Sequence, residues 1–257
     1  MAFRPRGRQN RKTARRGQQA DNLATKPGKA KPRSKAAPKS SATPARRKKR
    51  SPRRRATSPR QAIPVILVYL VFVAIGLGTW SLVQETRSLL LWGILLVGSL
   101  VLAAGRVNRF KLSLGELGRG LVFGLVIGLP LAFLLPTALT ATAERLYGPI
   151  RPEQLLLRLA LVAPVVEGVY FRGLLQPSAG FGLAAVLYGV AGLIFYLPTA
   201  VGFPAVLTAI VLIMAVFGLL YGVIAERYGL AVSITCHAAA AVCLWVLPPV
   251  LSVINAG

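Results

Sequence analysis

The chain has one histidine, His237, and two cysteines, Cys236 and Cys243, in 257 residues. The cysteines lie seven apart on one apolar segment, so they share a helix face and do not bridge, and no CxxC pair is present. That leaves no disulfide framework and no thiolate metal set, and the bland role of small residues between helices is expected for both. Zinc takes three or four N, S or carboxylate ligands. One histidine with one nearby carboxylate falls short, and Cys236 and His237 point about 100° apart on a helix. No cofactor or metal is therefore expected. Acidic residues are also scarce, 7 against 32 Lys and Arg. No apolar core stands in the first ~30 residues, as a secretory signal would require.

The positive charge is unevenly spread. Residues 1–60 hold 22 Lys and Arg against the single acid Asp21, a net +21, with almost no large apolar side chains. Residues 61–257 hold 10 basic and 6 acidic residues, a net +4. The first part buries too little surface to offset chain entropy and reads as a disordered polybasic tail. The second reads as an all-α polytopic membrane domain. A spanning helix needs about 20 mostly apolar residues, and seven candidates appear: 62–83, 88–105, 120–142, 154–175, 180–200, 204–225 and 229–254.

Orientation is read from Lys and Arg next to the spans. The run Arg46–Arg55 abuts the first span and puts the N-terminus in the cytoplasm. Arg106, Arg109, Lys111, Arg119 and Arg227 fall on the same side, with Arg87, Arg145 and Arg151 on the other. In the first of these groups the tail run carries the orientation. Near an anionic leaflet each juxtamembrane Lys or Arg gains about 1 kcal/mol, so anionic membrane lipids are the expected partner of the tail. Its distal part reaches far enough for RNA, DNA or the ribosome, without base recognition because no aromatic follows Phe3. Glycines four apart, Gly120, Gly124 and Gly128 in the third span and Gly218 and Gly222 in the sixth, predict close helix packing within the bundle. Pro130, Pro136 and Pro164 predict kinks or broken helix ends.

One charged group stands deep in an apolar segment. Glu167 lies within 154–175 and is followed five residues later by Arg172. A charge at that depth costs about 2.5–3.5 kcal/mol on insertion scales, so an ionisable residue there is by default a functional one facing protein or water. Counting nine residues from Glu167 to Gln176, and eight from Gly229 to His237, places both side chains roughly 12–14 Å below the same membrane face. A catalytic pair, Glu167 with His237, is the functional reading. The structural alternative is a buried, protonated Glu167 with Arg172 snorkelling to lipid phosphate.

The run Glu167-GVYFRG-Gly173 followed by Leu174-LQ-Gln176 resembles the first motif, EExxFRG, of the CPBP (CAAX protease and bacteriocin-processing, or Abi) family of intramembrane proteases. The second motif, FxxxH, falls on Tyr188-GVAG-Gly192, and the third, HxxxN, on His237-AAAA-Ala241. The likeness covers about 154–254. It implies Glu167 as the general base, His237 as an oxyanion donor, and Arg172 as an ion-pair residue. The same comparison puts Gly168 where the second glutamate stands, Gly192 in place of the second-motif histidine, and Ala241 in place of the asparagine. Loss of an acid–base group costs about 10²–10⁴ in rate and of an oxyanion donor about 10²–10³. The expectation is a degenerate homologue, a pseudoenzyme that binds a membrane-embedded or prenylated peptide and acts as a binding or regulatory protein. Two alternatives stand beside it: an active glutamate-dependent CAAX-type endopeptidase, and a membrane anchor that tethers nucleic acid or the ribosome through its tail.

Overall fold

The computed structural model describes residues 59–103, 113–148 and 152–256. The expected disordered tail, and Arg106, Arg109, Lys111 and Arg151, lie outside the described residues. Among the described residues every regular element is helical: α1 (Pro59–Gly78), α2 (Gln84–Ala103), α3 (Leu114–Leu134), α4 (Pro136–Tyr147), α5 (Glu153–Ala179), α6 (Phe181–Ala200), α7 (Pro204–Tyr228) and α8 (Leu230–Leu251). All but α1 and α4 are long and apolar enough to cross a membrane, six in number, and Ala62–Gly78 of α1 forms a shorter apolar helix. Their outward faces carry Leu67, Val97, Leu100, Val126, Phe133, Leu212 and Val216, all exposed. That is the outside of a bundle solvated by lipid.

Several expected spans begin or end elsewhere, and α1 stops at Gly78 rather than at residue 83. α2 starts at Gln84 rather than at residue 88: Gln84 Nε2 and the Arg87 guanidinium donate to the Phe195 carbonyl inside the bundle, while Glu85 is exposed and pairs with Arg158. The third apolar stretch is two helices. Ser113 caps α3, its hydroxyl accepting from the Glu116 N–H at 3.2 Å, so α3 starts well before residue 120. It stops at Leu135 (φ −130°, ψ 40°), and Pro136 opens α4 at a position where its missing N–H costs nothing.

Prolines also rewrite the hydrogen-bond ladder. The stretches Leu156–Val162, Gly168–Leu175 and Val242–Val246 are π-helical, and each ends two residues before a proline: Pro164, Pro177 and Pro248. A proline cannot donate to the carbonyl four residues back, and its ring crowds that oxygen. The chain answers by widening the preceding turn to bonds five residues apart, such as Ala163 N–H to Arg158 O and Leu247 N–H to Val242 O.

α6 runs along α7, and α3 runs along α8. The α3 glycines make the second contact possible. A Cβ on Gly120 would lie 2.6 Å from the Val232 carbonyl, one on Gly124 2.5 Å from the Cys236 carbonyl, and one on Gly128 2.6 Å from Cys243 Cβ. The stripe therefore packs inside the bundle, with both cysteines buried and unbridged against it. Single-residue turns join α5 to α6 and α7 to α8. Gly180 (φ 90°, ψ 161°) and Gly229 (φ 104°, ψ 163°) hold a backbone conformation that only glycine adopts without strain.

Arg87 differs most from its expected place. It is not a loop charge but is wholly buried at the first turn of α2. Nη1 donates to the Phe195 carbonyl at 2.6 Å, and Nη2 to the carbonyls of Gly76, at 2.8 Å, and Ile194. The Ile194 oxygen is free because Pro198, four residues on, has no N–H to offer it. Gly76 is among the last carbonyls of α1, which have no partner within their own helix. A Cβ at Gly76 would collide with Ile194, so the glycine lets α1 and α6 come together beneath the guanidinium.

Candidate membrane-embedded site

Glu167 sits in the middle of α5 and is 5% exposed. Its two oxygens each take one neutral donor. Trp92 of α2 donates from Nε1 to Oε1 at 3.1 Å, and Tyr188 of α6 donates from its hydroxyl to Oε2 at 2.7 Å. Both donors are nearly fully buried in an aromatic core that includes Phe171, Tyr170 and Phe195. Tyr188 is placed by its neighbours: Gly218 of α7 leaves room for the ring, which lies 3.0 Å from where a Cβ would stand, and Phe171 meets it edge-on at 5.0 Å.

Arg172 is one and a half turns further along α5 and is also 5% exposed. It does not snorkel to the membrane surface, which corrects the structural alternative drawn from sequence. The guanidinium instead turns into the bundle. Nη1 meets His237 Nδ1 at 3.4 Å, and the group lies over the rings of Tyr221, at 4.7 Å, and Tyr188, at 5.2 Å. An arginine only donates, so Nδ1 of His237 is the acceptor and the imidazole proton sits on Nε2. The His237 ring stacks on Tyr221 at 4.7 Å and 24°, and meets Tyr188 edge-on at 6.5 Å.

Tyr188 is thus the common neighbour of Glu167, Arg172 and His237. Among the described residues no hydrogen bond joins Glu167 to His237 directly. The equal-depth argument also needs correction, because α5 continues to Ala179. Glu167 is therefore deeper than His237, and Arg172 is the α5 residue level with the imidazole. Two members of the cluster, Trp92 and Tyr221, were missed in the sequence, where an aromatic in an apolar segment gives no sign of its partner. Tyr188 was visible only as the occupant of the second motif's aromatic position.

The departures from the motif have local causes. A Cβ on Gly168 would fall 2.5 Å from Ile234 Cγ1, so α8 already fills the space of a side chain there. One on Gly192 would fall 2.8 Å from Met214 Cγ of α7. Ala241 is buried on α8. Among the described residues no three His, Cys, Asp or Glu side chains group as metal ligands.

Residues 151–243 match a family model described as "Rce1-like: Type II CAAX prenyl endopeptidase Rce1-like". Over this segment the chain is similar to the Rce1-like, CPBP-type family. The match takes in α5 to α7 and most of α8, and with them Glu167, Arg172, Tyr188, Tyr221 and His237, while Trp92 reaches the site from outside the matched region. No curated protein and no solved structure matches the chain. With six helices long and apolar enough to cross a membrane, the chain is an integral membrane protein that carries this CAAX-protease-like segment.

Proposed function

We propose that this Rce1-like protein does not cleave peptides but holds a membrane-embedded or prenylated peptide, or a partner helix, as a binding or regulatory protein. The observation that carries the reading is the state of the Glu167 carboxylate. A general base must reach a water at about 2.6–3.2 Å and pass its proton on. Here each Glu167 oxygen is already engaged by a buried neutral donor, Trp92 or Tyr188. The positions that supply the remaining chemistry in the family motif, Gly168, Gly192 and Ala241, have no side-chain polar atom. His237 is tied to Arg172 rather than paired with an asparagine. Such losses within one site do not add, yet the smaller of them still removes about 10²-fold.

The test is cleavage of a farnesylated tetrapeptide-ended substrate by the full-length protein in lipid nanodiscs, beside the Glu167→Gln variant. The expected result is binding of the prenylated peptide with no product above the Glu167→Gln background. Robust cleavage abolished by Glu167→Gln overturns the reading and makes the chain an active glutamate-dependent endopeptidase. The same proposal sets the N-terminus in the cytoplasm, supported by the Lys and Arg run before α1. It gives the tail an anionic surface to bind, first the inner leaflet and, beyond it, nucleic acid.

A further inference from the structure

Arg172 has a bare edge. Its Nη1 is used by His237, but among the described residues Nε and Nη2 are buried with no hydrogen-bond partner. These two nitrogens lie along one edge of the planar guanidinium, and their N–H bonds run parallel. That is the edge that takes both oxygens of one carboxylate, the geometry in which arginine binds planar oxyanions most strongly. An unpaired donor at a buried site costs about 1–3 kcal/mol, and more when the group is charged. A bundle that keeps two such donors on one edge is keeping a place for an acceptor.

The acceptor is not Glu167: its oxygens bond Trp92 and Tyr188, and neither reaches Arg172 Nε or Nη2. Nor is it a side chain at residue 168, where glycine and Ile234 leave only apolar surface. The ring faces of Tyr221 and Tyr188 that flank the guanidinium favour a cation and supply it no hydrogen-bond acceptor. Access is from the His237 side, since that ring is only half-buried.

Depth narrows the ligand. Arg172, Tyr221 and His237 are each seven residues from the end of their helix, at Ala179, Tyr228 and Leu230. That is about 10 Å below the Gly180 and Gly229 turns. A phospholipid phosphodiester is anchored at headgroup level between two bulky substituents. A carboxylate at the end of a single extended chain is narrow enough to reach that depth. We propose that Arg172, braced by His237, is the binding site for a chain-terminal carboxylate, carried by an apolar peptide or by a fatty acid. The assignment does not depend on whether the protein cleaves anything.

The experiment titrates full-length protein, in a neutral maltoside detergent, with two matched pairs of ligands and follows tryptophan fluorescence. One pair is an N-acetylated apolar hexapeptide with a free C-terminal carboxylate and the same peptide as its amide. The other is palmitic acid and its methyl ester. In at least one pair the acid binds about tenfold or more tightly than its neutral counterpart, as loss of a charge-assisted pair of bonds requires. The pair that discriminates identifies the source. Arg172→Gln abolishes the preference, and Arg172→Lys, which keeps the charge but not the parallel edge, recovers only part of it. Equal binding of acid and neutral forms in both pairs overturns the assignment, as does a preference that survives in Arg172→Gln. If Arg172→Gln does not fold, the wild-type comparison and Arg172→Lys decide.

Discussion

Replacing Arg87 with Met should be among the most destabilising single changes in the bundle, and the structure sets the size of the effect. The guanidinium serves three carbonyls, of Gly76, Ile194 and Phe195. Phe195 keeps a second donor, Gln84 Nε2 at 2.9 Å, so two oxygens are orphaned. Each buried orphan costs about 1–3 kcal/mol, while measured interhelical bonds in membrane proteins average nearer 0.6 and reach about 1.7 kcal/mol. Removing a charge from an apolar interior returns part of that. The net expectation is a loss of about 2–4 kcal/mol. Arg87→Lys should fall between, since an ammonium on a flexible stem does not reach three acceptors on two helices as a planar fork does. Pro198→Ala supplies the missing N–H to Ile194, so in that background Arg87→Met should cost about 1 kcal/mol less. Equilibrium unfolding in mixed micelles, across the double-mutant cycle, measures each of these. An Arg87→Met loss below about 1 kcal/mol, or no coupling to Pro198, would refute the argument that the arginine exists to cap freed carbonyls.

Gly124→Val should cost about 1–3 kcal/mol by overpacking against Ala239 and Cys236, while Gly118→Ala, where a Cβ meets open space, should be neutral or better by the same unfolding measurement. Gly168→Glu, which would restore the motif's second carboxylate beside Arg172, should be poorly tolerated alone and relieved by Ile234→Ala, read as the yield of monodisperse protein; equal behaviour in both backgrounds contradicts the collision. A peptide of residues 1–60 should bind anionic vesicles strongly at about 50 mM salt and far more weakly at about 200 mM, and binding insensitive to salt would remove the electrostatic account. Ser40→Cys and Ser252→Cys, each made in a Cys236→Ala, Cys243→Ala background, should label from opposite faces of the membrane if the number of spans is odd, and labelling from one face would make it even.

Much of this architecture is written in local sequence. Apolar runs of the right length marked the helices, and glycine spacing marked the α3 and α7 contact faces, because close backbone approach has a one-residue signature. Glu167, Arg172 and His237 were visible as polar exceptions in apolar surroundings. Partnership is what could not be read. Trp92 looks like any aromatic in a span until α2 is laid against α5, and Arg87 looks like a loop cation until Pro198 and Gly76 bring free carbonyls to it. The depth of Glu167 was misjudged because the end of α5 is set by Gly180, whose role depends on a backbone conformation rather than on hydrophobicity.

The pairing of α3 with α8 has a consequence for how the protein comes to be made. Gly120, Gly124 and Gly128 bare their backbone for a helix that begins more than a hundred residues later and leaves the ribosome long after α3 has inserted. Until it arrives, α3 presents a groove of exposed peptide groups to lipid, and Arg172 waits without the imidazole that completes its surroundings. The α3–α8 contact therefore closes only once the chain beyond Leu230 has been made, and a chain stalled before Leu230 should be recognised by membrane quality control as unfinished, however many of its helices have already inserted.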